Sequence, residues 1–348
     1  MRKLEGFTRG INLGGWLSQY DEKSERYFDT FITAEDIRRI ADMGLDHVRL
    51  PVDWDVIEDE DGNPLEKGYG HIDDCLAWCE ACGLHTVIDL HKTFGYSFDP
   101  LEKNDDKELF FRDAALQERF IALWRRIAER YRNRSFVALE LLNEVVPMSV
   151  KDSWNDIVFR TIEAIRAISP TQWILVGGVC YNSVDSVPKL DPPHDGRLAY
   201  NFHCYEPMIF THQKAYWVAN MPRDLTVHYP DDPARLSELS RGLSKELARA
   251  AQSMADAPLG TGYFERLFVP ALEAAEKNGA PLYCGEYGVI DRAECEDALR
   301  WIRDINAVFE RHGIGRAMWN YKRKDFGLTD PHYDGCREEL IRVLAGRE

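Results

Sequence analysis

The chain has 348 residues, of which 45% are hydrophobic and 29% are charged, a composition typical of globular proteins and not of disordered or fibrous ones. Its 43 basic and 59 acidic side chains give a formal net charge of −16, so nucleic acids and anionic membranes are poor candidate partners. No uninterrupted apolar run approaches the roughly 20 residues of a bilayer-spanning helix.

The N-terminal segment, residues 1–6, has two basic residues but no apolar core behind them, so it does not have the form of a secretory signal. We expect a cytoplasmic protein as the sequence is written, or a secreted one if a signal has been removed. Among the eight cysteines, Cys180, Cys204 and Cys284 lie inside apolar runs, as reduced buried thiols do.

Three other cysteines, Cys75, Cys79 and Cys82, recur at helical spacing. A metal site would require a fourth ligand at a suitable spacing, which the sequence around them does not offer. We therefore interpret these thiols as packing residues on one face of a helix.

Eight short runs of β-branched and aliphatic residues predict eight strands. In chain order the predicted strands are Gly10–Leu13, His47–Pro51, Thr86–His91, Val137–Asn143, Trp173–Gly177, Leu198–His203, Pro281–Glu286 and Ala317–Tyr321.

Helical patterns separate these strands. The first has an N-cap pattern in Thr33 followed by Glu35 and Asp36, and it ends at Met43 and Gly44. The other predicted helices are His71–Cys82, Phe111–Tyr131, Ser153–Ile168, a weak one near Ser183–Leu190, Tyr263–Asn278, Ala293–His312 and Cys336–Leu344.

The alternation of eight strands with helices favours an α/β fold with parallel strands, and eight is the number that closes a (β/α)8 TIM barrel. The alternative is an open doubly wound sheet, which requires a glycine-rich phosphate loop after the first strand. The segment Gly10–Gly15 lacks the spacing of that loop, and no convincing helix follows it. The sequence therefore predicts a single barrel domain over residues 1–348.

The connection after the sixth predicted strand is unusually long. Residues 207–262 occupy it, whereas an ordinary βα loop has about 2–6 residues. We interpret residues 207–262 as a helical subdomain inserted into the barrel, with a disordered insertion as the alternative. The helical periodicity rests on Leu236, Leu239, Leu243, Leu247 and Ala251.

Polar residues stand where the predicted strands end, and in a barrel this edge carries the function. Each has an ordinary structural explanation on its own, such as a buried ion pair, a core histidine or a loop cap. Together they would place so many desolvated polar groups on one edge that these groups must bind one another or a ligand. The set comprises Arg49, His91, Asn143, Glu144, His203, Tyr205, Glu286 and Trp319.

This set resembles, in order, the signature of glycoside hydrolase family 5. Lys92 departs from the family pattern, because many relatives carry a second histidine or another small motif after the equivalent of His91. Further segments are similar to the small endoglucanase C subgroup over nearly the whole chain: Gly10–Trp16, Phe28–Thr33, Tyr205–Pro207, Phe210–Trp217, Leu282–Glu286 and Trp319–Lys322.

The resemblance implies a retaining glycosidase with its catalytic glutamates at the ends of strands four and seven. Glu286 would be the nucleophile, and Glu144 would be the general acid and then the general base, about 5–5.5 Å away. Arg49 and the Tyr205 hydroxyl are expected to lower the pKa of Glu286, and the charge of Glu286 is expected to raise the pKa of Glu144.

The resemblance also implies sugar contacts. Asn143 would bind the sugar 2-hydroxyl, His91 would reach other hydroxyls, His203 would support Glu144, and Trp319 would form an apolar platform. No metal, nucleotide or other cofactor is implied, and we expect a monomer. Further aromatic candidates for sugar subsites are Trp16, Trp54, Tyr96, Trp217 and Tyr321.

The implied substrates are cellulose-type β-1,4-glucans, mixed-linkage β-1,3-1,4-glucans and their oligosaccharides. One alternative keeps the chemistry and changes the glycan to mannan or xyloglucan, because that choice depends on contacts to one or two hydroxyls. Another is a carbohydrate-binding barrel without turnover. A cytoplasmic enzyme would act on soluble glucan or imported oligosaccharides.

Overall fold

The computed structural model describes residues 2–102, 106–132, 134–243 and 258–347. Eight parallel strands form a closed barrel in which each strand pairs with the next along the chain and the last pairs with the first. The strands are β1 Arg9–Asn12, β2 His47–Asp53, β3 His85–Lys92, β4 Val137–Glu140, β5 Trp173–Gly177, β6 Leu198–Cys204, β7 Leu282–Tyr287 and β8 Gly315–Met318. The predicted (β/α)8 TIM barrel is confirmed.

The helices form the outer layer of the barrel, and short 3-10 helices lie at Met148–Val150, Val184–Lys189 and Pro331–Tyr333. The α-helices are α1 Glu25–Phe31, α2 Ala34–Asp42, α3 Trp54–Ile57, α4 Glu66–Ala81, α5 Leu109–Arg112, α6 Ala114–Tyr131, α7 Lys151–Arg166, α8 Met208–Thr211, α9 Pro233–Ser240, α10 Thr261–Asn278, α11 Cys295–His312 and α12 Arg337–Leu344.

Local hydrogen bonds explain where several helices begin. Thr33 caps α2 in a capping box with Asp36, as its sequence pattern predicts. The helix predicted over Phe111–Tyr131 is divided into α5 and α6, because Asp113 adopts an extended backbone and its side chain accepts hydrogen bonds from the amides of Ala115 and Leu116. The weak helix predicted near Ser183–Leu190 is a 3-10 helix.

The barrel is closed at the amino end of its strands by the N-terminal segment. Leu4 and Phe7 are buried there against inward-facing side chains of the strands, including Val87, Leu175 and Tyr283. The other end of the chain lies near the same face, since a Cβ placed on Gly346 would meet the Arg9 guanidinium. The carboxyl ends of the strands therefore remain as the open end of the barrel.

The long connection after β6 contains two short helices, α8 and α9, among its described residues. Gln213 joins two parts of it, because its side chain donates to the Val227 carbonyl and accepts from the Val227 amide. Leu236 and Leu243 are buried, whereas Leu247 and Ala251 lie outside the described residues. A helical subdomain at residues 207–262 thus stays a prediction.

Two of the cysteines form a disulfide, and others are free thiols. Cys295 and Cys336 form a disulfide that joins the start of α11 to the start of α12, a pair that the sequence pattern did not indicate. Cys75 and Cys79 are buried side by side in α4 as free thiols. Within the described ranges, no helix has both the length and the apolar character needed to cross a lipid bilayer.

Helix α4 offers a paired test of its packing on α3. A Cβ placed on Gly68 would lie 1.8 Å from the carbonyl oxygen of Val56, so Gly68→Ala must push the two helices apart. Overpacking of this kind costs about 1–3 kcal/mol, and we expect a lower melting temperature in calorimetry.

The control is Gly70→Ala in the same helix, where an added Cβ would meet nothing within 4 Å. Alanine is favoured over glycine inside a helix by about 0.5–1 kcal/mol, so this variant should melt at the same temperature or higher. Equal melting temperatures for the two variants would contradict the proposed contact.

Candidate active site

A cavity of about 1100 Å³ opens at the carboxyl end of the strands. This volume is slightly above the range of ordinary ligand pockets, which occupy about 300–1,000 Å³. Arg49 and Asn143 lie beneath its surface, where Arg49 contacts both the lining residue Glu286 and Asn143. The lining includes six of the predicted site residues, namely His91, Glu144, His203, Tyr205, Glu286 and Trp319.

Two glutamates face each other across this cavity. Glu286 lies near the end of β7, and Glu144 follows β4 by four residues. A carboxylate oxygen of each and a ring nitrogen of His203 all lie within 4.8 Å of one another. His203 Nδ1 is 2.9 Å from Glu144 Oε1 and 3.7 Å from Glu286 Oε2.

The Arg49 guanidinium is fully buried inside the barrel, directly beneath the cavity, and links the residues there to the strands. It donates to Glu286 Oε1 at 2.8 Å and to Asn143 Oδ1 at 2.8 Å. Two further donations reach the carboxylate of Glu140, each at 2.7 Å, and Asp89 Oδ2 is 3.0 Å away. Arg49 therefore fixes the orientation of the nucleophile candidate and of Asn143 at once.

Asp89 and Glu140 are buried partners of Arg49 that the sequence analysis did not include in the site. Burial raises the pKa of each to about 7, although the charge of Arg49 opposes the shift. Asp89 also holds His91, whose Nδ1 lies 2.6 Å from Asp89 Oδ2. A charged residue inside an otherwise apolar predicted strand was the available signal for both.

The two facing glutamates differ in how their surroundings affect ionisation. Burial, reinforced by the negative charge of Glu286, raises the pKa of Glu144 well above its ordinary value, as predicted. Burial also raises the pKa of Glu286, so the predicted lowering is wrong in its net direction. Arg49 and the Tyr205 hydroxyl, which donates to Glu286 Oε2 at 2.9 Å, do oppose that rise. Glu286 is thus the glutamate that ionises more readily.

His203 and Asn143 present nitrogen atoms that await a partner. Burial lowers the pKa of His203 well below its ordinary value, so the ring beside Glu144 is neutral. Its Nε2 and the Nδ2 of Asn143 are buried and have no hydrogen-bond partner among the described residues. An unsatisfied buried donor is costly, and a polar ligand that accepts from Asn143 would remove that cost.

Trp319 supplies an aromatic surface to the cavity. Its ring stacks on His91 with centroids 5.8 Å apart and planes 5° from parallel. Gly14 makes room for it, because a Cβ at that position would lie 2.4 Å from the Trp319 ring. Gly14, the first of the two glycines after β1, therefore has a packing reason, which is to let Trp319 occupy this position.

Of the five additional aromatic candidates, only Trp54 and Trp217 line the cavity among the described residues. Trp16 is buried and donates to the Phe28 carbonyl, and Tyr321 is buried and donates to Asp36. These two rings pack behind the cavity wall and do not form sugar subsites.

Tyr96 is likewise a structural residue and not a subsite. Its hydroxyl donates to the Glu144 carbonyl at 2.7 Å and accepts from the Val146 amide at 2.8 Å. The ring is 3% exposed, so Tyr96 holds the segment that carries Glu144 from behind.

Lys92, the residue that departs from the family pattern, lies in the cavity wall. Its ammonium pairs with Glu102 and lies 3.6 Å from Asp53 Oδ2. Asp53 is held in turn by the Ser18 hydroxyl at 2.7 Å. The lysine therefore joins the loop after β3 to the end of β2 and, through Asp53, to the loop after β1.

Unfavourable backbone conformations concentrate around the open end of the barrel. All nine non-glycine residues with positive φ among those described lie in loops that follow β1, β5, β6 or β8. Two runs of three stand out, Cys180–Asn182 and Arg323–Asp325, and both contribute side chains to the cavity. A left-handed conformation costs an ordinary residue roughly 1–2 kcal/mol, and such strain is concentrated at functional sites.

Comparison with known proteins agrees with this geometry. The model of the family Cellulase (glycosyl hydrolase family 5) matches residues 8–325. Endoglucanase C of Acetivibrio thermocellus is 40% identical over 350 residues, covering 99% of this chain and 100% of that protein. Cellodextrinase A of Ruminococcus flavefaciens is 44% identical over 317 residues, covering 91% and 86%.

A solved structure supports the same fold. Cel5A of Thermotoga maritima in complex with mannotriose is 24% identical, has a TM-score of 0.74 and is matched over 97% of each chain. At that identity the likeness concerns the barrel architecture, whereas the family match and the two relatives concern the chemistry. The chain belongs to glycoside hydrolase family 5 and is a glycoside hydrolase of the cellulase type.

Proposed function

We propose that the protein is a retaining endo-β-glucanase that cleaves β-1,4-glucosidic bonds by double displacement. The observation that carries this proposal is the closeness of Glu144 and Glu286, whose nearest carboxylate oxygens lie within 4.8 Å. Retaining enzymes hold their carboxyl groups about 5–5.5 Å apart, whereas inverting enzymes need about 6.5–9.5 Å to admit a water molecule.

In the first step, the ionised carboxylate of Glu286 attacks the anomeric carbon while Glu144 gives its proton to the departing glycosidic oxygen. A glycosyl ester on Glu286 forms, and the leaving sugar departs as an alcohol. Esterification removes the negative charge from Glu286. The pKa of Glu144 then falls, because one cause of its elevation has disappeared.

In the second step, Glu144 accepts a proton from water while the water oxygen attacks the anomeric carbon and the ester bond breaks. Arg49 and Tyr205 receive the carboxylate of Glu286 as its charge returns, since both donate to its oxygens. The unpartnered Nδ2 of Asn143 supports a contact to the sugar 2-hydroxyl, which strengthens at the oxocarbenium-like transition state.

The charge of the cavity supports a neutral glycan as substrate. Apart from the two glutamates, seven acidic side chains and three lysines contribute to its lining, so polyuronic acids would be repelled. The acidic residues are Asp53, Asp55, Asp99, Glu102, Asp185, Glu206 and Asp325. We propose cellulose-type and mixed-linkage β-1,3-1,4-glucans and their oligosaccharides, in agreement with the names of the endoglucanase and cellodextrinase relatives.

We further propose that residues 207–262 form a subdomain that walls one side of the cleft. Met208, His212, Tyr216 and Trp217 support this role because they line the cavity. The disulfide between α11 and α12 favours a secreted protein over a cytoplasmic one, since such bonds persist in oxidising compartments.

Glu144→Gln and Glu286→Gln test the assignment of both catalytic groups. Each amide keeps the size of the side chain but can neither transfer a proton nor act as a nucleophile. We expect the rate of reducing-end release from barley β-glucan to fall about 10³-fold or more for each variant. Glu273→Gln, the same change at an exposed position of α10, is the control. Turnover near that of the wild type in either cavity variant would defeat the proposal.

Chemical rescue distinguishes the two roles. With 2,4-dinitrophenyl β-cellobioside, whose leaving group needs no acid, Glu144→Ala should still form the glycosyl ester, and added azide should convert it to the β-cellobiosyl azide. Glu286→Ala with azide should give the α-cellobiosyl azide, because azide then attacks the substrate directly. Proton NMR of the products reads the configuration, and exchanged outcomes would reverse the assignment of nucleophile and acid.

The raised pKa of Glu144 also predicts how stability depends on pH. The folded state holds this proton more tightly than the unfolded chain, whose glutamates titrate at about 4.3, so the wild type loses stability as the pH rises above that value. Glu144→Gln removes that loss. Its melting temperature should therefore exceed that of the wild type by more at pH 7 than at pH 4.5, as measured by calorimetry with Glu273→Gln alongside. An equal difference at both values would contradict the raised pKa.

A further inference from the structure

The backbone that carries Glu144 has already left its strand. β4 ends four residues earlier, and among the described residues the last backbone hydrogen bond from this segment to a neighbouring strand joins the Asn143 amide to the Leu90 carbonyl at 3.1 Å. Glu286, by contrast, lies inside β7 and in register with β6. The sheet therefore fixes the proposed nucleophile, whereas the proposed acid needs another support.

Two neighbouring loops supply that support. From the loop after β3, the Tyr96 hydroxyl donates to the Glu144 carbonyl at 2.7 Å and accepts from the Val146 amide at 2.8 Å. From the loop after β5, the Tyr181 amide donates to the Val145 carbonyl at 3.1 Å. The three consecutive residues 144–146 are thus hydrogen-bonded from two sides, and on one side a single side-chain oxygen makes both contacts.

Tyr96 is itself held in a fixed position. Thr93 and Tyr96 exchange backbone hydrogen bonds of 3.2 and 2.9 Å, and Gly95 closes this tight turn with a φ of 82°, which glycine adopts without steric cost. The Tyr96 ring packs edge-on against Phe111, with centroids 5.1 Å apart, and tilted against Phe110 at 6.1 Å. The turn and the two rings therefore determine where the hydroxyl lies.

The position of a general acid matters for its reaction. The acid must come within hydrogen-bonding distance of the oxygen that leaves, and a misplacement of about 1 Å can cost about 10²-fold in rate. Tyr96 does not belong to the described residues that line the cavity, so its hydroxyl acts on the reaction only through the backbone of residues 144–146.

We propose that Tyr96 is a positioning residue for proton transfer, and that its hydroxyl fixes the peptide from which the Glu144 carboxyl reaches the departing oxygen. The inference rests on the proposed glucanase function. It gives Tyr96 a part in the reaction that differs from the sugar contact expected from the sequence, and it makes the loop after β3 a determinant of acid catalysis.

Tyr96→Phe tests the proposal, because it keeps the ring and removes only the hydroxyl. The donors are phenyl β-cellobioside, whose leaving group needs a proton, and 2,4-dinitrophenyl β-cellobioside, whose leaving group does not. We expect kcat/KM to fall about tenfold or more on the phenyl donor and to stay within about twofold of the wild type on the dinitrophenyl donor. Across a series of aryl cellobiosides, kcat/KM should then depend more steeply on the pKa of the leaving phenol.

The ratio of the two kcat/KM values separates positioning from folding. A variant that is partly unfolded loses the same fraction of activity on both donors, so the ratio reports only on the folded molecules. Tyr263→Phe is the matched control, because the Tyr263 hydroxyl is buried, has no hydrogen-bond partner among the described residues and does not line the cavity. It should leave the ratio unchanged.

Each other outcome overturns the inference. Equal losses on both donors, or a larger loss on the dinitrophenyl donor, would show that Tyr96 supports the fold or the nucleophile and not the acid. Unchanged values on both would show that residues 144–146 keep their position without the hydroxyl. A wild-type enzyme that cleaves neither donor nor β-glucan would instead overturn the proposed glucanase function, and the inference with it.

Discussion

The Arg49 guanidinium, enclosed in the barrel with carboxylates on several sides, is the interaction on which the rest of the site depends. One positive charge faces Asp89, Glu140 and Glu286 at hydrogen-bonding distance. A buried charge is tolerated only when it is paired and fully hydrogen-bonded, so the guanidinium and its partners constrain one another. Removing any one of them would leave an uncompensated group in a dry interior.

The reactivity of the two facing glutamates follows from this arrangement and from burial. Low polarity raises the pKa of both, and the position of the guanidinium beside Glu286 determines which of them ionises first. The protonated and ionised partners that the proposed double displacement needs thus arise from one shared environment. Because the groups are coupled, a change at Asp89 or Glu140 should act on the reaction through Arg49 although neither group touches the sugar.

The sequence predicted the barrel well because buried parallel strands are nearly continuous apolar runs, which are easy to locate. It placed Glu144 and Glu286 because strand ends converge at one edge. It missed Asp89 and Glu140, since a single charge inside a strand does not reveal its partner. It could not separate the aromatic candidates that line the cleft from Trp16, Tyr96 and Tyr321, because an aromatic residue near a strand end can pack behind a wall as readily as in front of it.

The closure of the barrel floor by Leu4 and Phe7 determines how the molecule can be joined to others. The first and last described residues emerge on this floor, on the face away from the cavity. A carrier protein, surface tether or additional glycan-binding module attached at either of them would therefore leave the mouth unobstructed. Immobilised or fused forms of the enzyme can thus present their clefts outward to a polymer while their anchors face the support.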